Sequence, residues 1–107
     1  MGEVAFIKDE QELNLLLEDE SLLVMDCTAS WCGPCKLVAP LMDKLAGEYS
    51  DRLRVFKLDV DANQDISKRF GIRSIPAVIY FKGGSQVEML VGVRPYEEFT
   101  SAAERFL

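Results

Sequence analysis

An unbroken apolar run, Leu22-Leu23-Val24-Met25, gives way within a few residues to two cysteines three positions apart, Cys32-Gly33-Pro34-Cys35. Such a run suits a central strand covered on both faces of a sheet, and its C-terminal end delivers the cysteine pair. Positions three apart share one face of a helix, so a helix starting between the thiols brings them close enough to bond. Gly33-Pro34 suits that start, because proline lacks only an N–H that has no partner in a first turn. The prediction is Cys32 at the helix N-terminus and Cys35 inside the helix.

The two sulfurs are then unequal. Cys32 feels the positive end of the helix dipole and free backbone N–H groups, which lower a thiol pKa from about 8.5 by roughly one or two units. Cys35 stays a thiol until it is needed to resolve a mixed disulfide. A purely structural bridge is the dull alternative, but one that spans a single turn closes a tiny loop and stabilises little. The pair reads as a redox site.

The 107 residues fit one domain, 1-107, and 49% hydrophobic residues suffice to bury a core without disulfide staples. Formal net charge is −6 with no Lys/Arg cluster, so nucleic acid and anionic membranes are not expected partners. No apolar run approaches the length of a bilayer span. Three cysteines and no histidine exclude His-dependent zinc sites and a four-cysteine site within one chain. They also remove Cys-His and Ser-His catalysis. Met1-Gly2-Glu3-Val4-Ala5-Phe6-Ile7-Lys8 lacks the basic start, apolar core and cleavage site of a secretory leader. The expected setting is cytoplasmic, or an organelle stroma if a transit peptide has been removed.

Val4-Ala5-Phe6-Ile7 reads as a short strand, and Asp9 with Glu12 as a capping box opening a helix with Leu13, Leu16 and Leu17 on one face. The helix after Cys32 carries Val38, Leu41, Leu45 and Tyr49, its stripe widened by Leu37 and Met42 and its axis interrupted by Pro40. Leu53 to Val60 is a second buried-type strand, and Asn63 is placed to cap a short helix ending at Gly71. Ala77 to Phe81 and Val87 to Val91 read as an antiparallel hairpin joined through Lys82-Gly83-Gly84-Ser85-Gln86. Pro95 then opens a final helix with Tyr96, Phe99, Ala103 and Phe106 on one side. The order β-α-β-α-β-α-β-β-α predicts an α/β class, one mixed sheet of about five strands flanked by about four helices. Ligands meet such sheets at the C-terminal ends of parallel strands, where Cys32 falls.

Asp26 follows the apolar run, where an ionised carboxylate is costly unless paired or protonated. A raised pKa makes it a candidate proton acceptor for Cys35. Lys57 interrupts an apolar strand, so its ammonium either snorkels to the surface or approaches Asp26 from the neighbouring strand. Cys27, on the face opposite Asp26, reads as small core filler. Lys36 is a secondary candidate for electrostatic support of the Cys32 thiolate.

With Trp31-Cys32-Gly33-Pro34-Cys35 intact, the chain resembles the thioredoxin family over nearly its whole length. Asp26, Lys36, Pro40, Lys57, Ile75-Pro76 and Gly92 fall at matching places. The resemblance implies the thioredoxin fold and a protein-disulfide reductase cycling between a Cys32/Cys35 dithiol and disulfide. Cys32 would be the nucleophile, Cys35 the resolving thiol, Asp26 the proton acceptor, and Lys57 the group that tunes Asp26. It also implies a cis peptide before Pro76, leaving the Ile75 backbone open to strand-like pairing with a target. Trp31, Gly33, Pro34, Ile75, Pro76, Gly92 and Val93 would form a substrate-binding apron around the exposed Cys32 sulfur.

No bound cofactor or metal is expected beyond the Cys32-Cys35 disulfide itself. The implied partners are disulfide-containing target proteins and a thioredoxin reductase, either an NADPH-flavin enzyme or a ferredoxin-linked one, and the chain is expected to be a monomer. Many members carry Phe at the position of Cys27 and an aromatic at that of Thr28, so this sequence leans toward some eukaryotic and photosynthetic relatives. Two rivals stand: a disulfide oxidant or isomerase, against which a Gly33-Pro34 pair without histidine argues, and a binding module whose cysteines are incidental.

Overall fold

The computed structural model describes residues 4–107; Met1, Gly2 and Glu3, the start of the segment read above as leaderless, lie outside the described residues. The elements follow in the predicted order: β1 (Ala5–Phe6), α1 (Glu10–Leu17), β2 (Leu22–Thr28), α2 (Cys35–Glu48), β3 (Leu53–Asp59), α3 (Gln64–Arg69), β4 (Ala77–Lys82), β5 (Ser85–Val91) and α4 (Tyr96–Phe106). They build a five-stranded mixed sheet in the order β1-β3-β2-β4-β5. β3 runs parallel to β1 and β2, while β4 is antiparallel to β2 and β5.

The central place of β2 follows from its composition. Leu22 to Cys27 are all buried, because alternate side chains enter two separate apolar layers. Leu22 and Val24 pack under Val38, Met42 and Leu45 of α2 and Phe99 of α4. Leu23, Met25 and Cys27 enter the opposite layer with Leu13 of α1 and Ile66 of α3. Tyr80 ties the first layer to α4 by donating its hydroxyl to the Phe99 carbonyl at 2.8 Å.

Several boundaries differ from expectation for local reasons. β2 continues through Asp26, Cys27 and Thr28, since Asp26 is paired on both sides, with Lys57 and with Val78. β1 is only Ala5–Phe6, although Val4 and Ile7 beside it are buried. Leu37 is 63% exposed rather than part of the α2 stripe. At about 100° per residue it lies well off the line of Val38, Met42 and Leu45. α2 itself runs on through Pro40.

Asp9 caps α1 as predicted, accepting from the Glu12 N–H at 2.9 Å, and Glu12 reaches back to the Lys8 N–H at 2.7 Å. Asn63 does not cap α3 with its side chain. Its amide instead donates to the Asp59 carbonyl at 3.1 Å, across a turn in which Asp59 Oδ1 accepts from the Asp61 and Ala62 N–H groups. The β4-β5 connection is tighter than the predicted five residues: only Gly83 and Gly84 lie between the strands, with φ of +58° and +82°. A two-residue turn that needs positive φ at both positions is what Gly-Gly permits. No helix among the described residues is long and apolar enough to cross a membrane.

Candidate active site

Beyond the end of β2 the chain turns through Ala29, whose carbonyl accepts from the Cys32 N–H at 3.1 Å. Gly33 and Pro34 make the next turn, accepting from the Lys36 and Leu37 N–H groups at 3.0 Å each, and α2 begins only at Cys35. The predicted helix start is thus corrected. Cys32 stands in the turn before the helix and Cys35 is its first residue, because the proline ring occupies the cap position. The two are joined as a disulfide with Cα atoms 5.4 Å apart.

The inequality of the sulfurs rests on hydrogen bonding. The Cys35 N–H, one of the unpaired donors of the helix start, points at Cys32 Sγ at 3.2 Å. A thiolate on Cys32 is stabilised by that donor and by the helix dipole. Burial does not separate the pair: Cys32 is 3% exposed and Cys35 2%, so the openness expected of Cys32 is not seen at residue level. Val60 and Ile75 pack against the small cluster that Ala29, Cys32 and Cys35 form, which accounts for the cover.

Asp26 is 1% exposed on the face of β2 that α2 covers, since Leu22, Val24 and Asp26 alternate onto that side. Burial pushes its carboxyl up from 3.8 to about 6, against the pull of the Lys57 ammonium, with Asp43 adding a further push upward. Its Oδ1 has no hydrogen-bond partner among the described residues. Lys57, the register partner on β3, is half-buried with its ammonium 5.6 Å from the centre of the Phe6 ring. Cys27 is buried in the opposite layer, and burial together with the Asp26 charge holds it as a neutral thiol. Lys36 is exposed.

Around the disulfide, Trp31 is 68% exposed, yet its ring is held: Nε1 donates to Asp61 Oδ2 at 2.7 Å. Ile75 and Trp31 line one cavity of about 270 Å³ together with Val60, Asp61, Ile72 and Arg73, among others. The Ile75-Pro76 peptide is cis and Pro76 is buried. The Pro76 carbonyl accepts from the Gly92 N–H at 2.8 Å, which fastens the Gly92-Val93 loop beside it. Gly92 has φ +93°, a conformation glycine adopts readily, and Val93 is 50% exposed. Gly33, Pro34, Pro76, Gly92 and Val93 are not among the residues lining the cavity.

Asp61 and Arg73 went unread in the sequence. Thr28 and Asp59 are register partners, so Asp61, just beyond β3, meets Trp31, just beyond β2, at one end of the sheet, a contact that no local sequence pattern marks; nor does one mark Arg73, which follows α3.

The thioredoxin family model matches residues 3–105. The chain belongs to the thioredoxin family. It is 37% identical over 106 residues to a chloroplastic M-type thioredoxin of Chlamydomonas reinhardtii, covering 99% of this chain and 76% of that one. It is 46% identical over 85 residues to thioredoxin-T of Drosophila melanogaster, covering 79% of this chain and 54%, about half, of that relative. The solved thioredoxin of Malassezia sympodialis superposes with a TM-score of 0.89 at 29% identity, covering 96% of this chain and 92% of that one. As a thioredoxin-type protein-disulfide oxidoreductase, the chain carries its redox-active group in its own sequence, the Cys32-Cys35 pair. Among the described residues no cluster of His, Cys, Asp or Glu is arranged to hold a metal ion.

Proposed function

We propose that this thioredoxin, a single domain over 1-107, reduces disulfides of target proteins through Cys32 and releases them through Cys35, with Asp26 taking the proton. The Cys32 thiolate attacks one sulfur of the target disulfide, the other leaves as a thiolate, and a mixed disulfide forms. Cys35 loses its proton toward Asp26 and attacks Cys32 Sγ; the second target sulfur leaves, and two electrons have passed to the target. Lys57 keeps the Asp26 pKa from rising further. Trp31, Gly33, Pro34, Ile75, Pro76, Gly92 and Val93 receive the target around the sulfurs. The observation that carries this reading is the Cys35 N–H directed at Cys32 Sγ, which supports attack by Cys32 and resolution by Cys35.

A thioredoxin reductase returns the pair to the dithiol. The chloroplastic names of several relatives support an organelle stroma over the cytoplasm, and the reductase is an NADPH-flavin enzyme or a ferredoxin-linked one. The test is turnover of a protein disulfide by the wild type, Cys32→Ser and Cys35→Ser. Loss of turnover in both, with a trapped mixed disulfide only in Cys35→Ser, is expected. A double variant that keeps its partner function would make the chain a binding module instead.

A further inference from the structure

The sequence has six arginines and an acidic balance of −6. Arg52, Arg54, Arg69, Arg94 and Arg105 each reach a carboxylate, on Glu104, Asp19, Glu10, Glu98 and Glu88 in turn. Among the described residues Arg73 is the exception, with neither a carboxylate nor an aromatic ring in contact, and it is exposed. It also stands at a junction. The cavity beside Trp31 and Ile75 shares Ser67, Ile72 and Arg73 with a second cavity of about 300 Å³. That second cavity is lined by Ser67, Lys68, Gly71, Ile72 and Arg73, two cations and no carboxylate.

We propose that the second cavity is a subsite for an acidic side chain of the target protein, held by Arg73 and Lys68 while the target's disulfide lies against Cys32. The proposal rests on the reductase reading and adds a substrate preference to it. Ile75 packs against the cluster that holds Cys32 and Cys35, and it lines the first cavity together with Trp31 and Arg73, so that cavity links the disulfide's surroundings to the second one. A guanidinium without an internal partner presents its planar fork to a carboxylate, and Lys68 adds a second positive charge. Asp61, the acid of the first cavity, is engaged by Trp31 Nε1 and disfavours an acidic side chain there, which directs the charge to the far end.

The probe is a set of short peptides with one disulfide, in which a single glutamate is moved through the flanking positions and compared with glutamine. At low ionic strength the wild type should reduce one glutamate peptide with kcat/KM about fivefold above its glutamine twin, the range of a partly exposed charge pair. Arg73→Gln should bring that ratio to about one while the rate on the glutamine peptide is kept, and Arg73→Lys should restore part of it. No preference at any position, or a preference that survives Arg73→Gln, overturns the subsite. Should the wild type reduce none of the peptides, the reductase reading fails separately. The ratio of dissociation constants for the same peptides, read by Trp31 fluorescence, then decides the subsite by the same criteria.

Discussion

Asp26 and Lys57 are register partners across β2 and β3, yet no ion pair within 4.0 Å joins them among the described residues. The acid is therefore buried with only partial compensation, and its pKa rises rather than falls.

The stability consequence has a definite sign. A folded-state value near 6 against an ordinary 3.8 means that the folded chain holds this proton more tightly than the unfolded chain. Stability contributed by the neutral acid is present below about pH 4 and lost as pH rises through about 6. A difference of that size is worth about 3 kcal/mol. Asp26→Asn should therefore raise the unfolding free energy at pH 7 to 8, by up to about that amount, and leave it nearly unchanged near pH 4. Urea titrations of the oxidised protein at the two pH values check this.

The same substitution should slow resolution of the mixed disulfide and flatten its dependence on pH. Stopped-flow traces of target release between about pH 6 and 9 would show it. A rate profile identical to the wild type removes Asp26 from the mechanism and leaves it a purely structural burden.

Asp61→Ala should free the Trp31 indole, since the 2.7 Å hydrogen bond is the ring's anchor at the edge of the cavity. A few-fold rise in KM for a peptide disulfide, with kcat nearly kept, is expected from losing one charged hydrogen bond at a partly exposed site. The emission spectrum of Trp31, the single tryptophan, should shift in the same variant.

Gly92→Ala should destabilise by about 1 to 2 kcal/mol, the cost of a left-handed conformation for a residue with Cβ. An added Cβ meets nothing within 4 Å, so the penalty is conformational rather than steric crowding from neighbours. The urea midpoint is the readout.

The order of elements and the sheet's central strand were legible in the sequence, because hydrophobic period and chain order carry them; the strand pattern left Lys57 either snorkelling or facing Asp26, and only the family resemblance pointed to Asp26. Leu37 and the start of α2 were not. The first needed the angular position of one residue on a helix, and the second needed to know that Gly33-Pro34 completes its own turn before helical bonding begins. Asp61 and Arg73 were out of reach for a different reason. Each acts through a neighbour distant in sequence, Trp31 for one and the meeting of two cavities for the other, and no local pattern encodes such contacts.

The midpoint potential of the Cys32-Cys35 couple, titrated against defined thiol buffers and read by Trp31 fluorescence, tests protein-disulfide reduction most directly. A value below about −250 mV is predicted, the range of a general cellular reductant. A value above about −200 mV belongs to oxidants and isomerases and contradicts it.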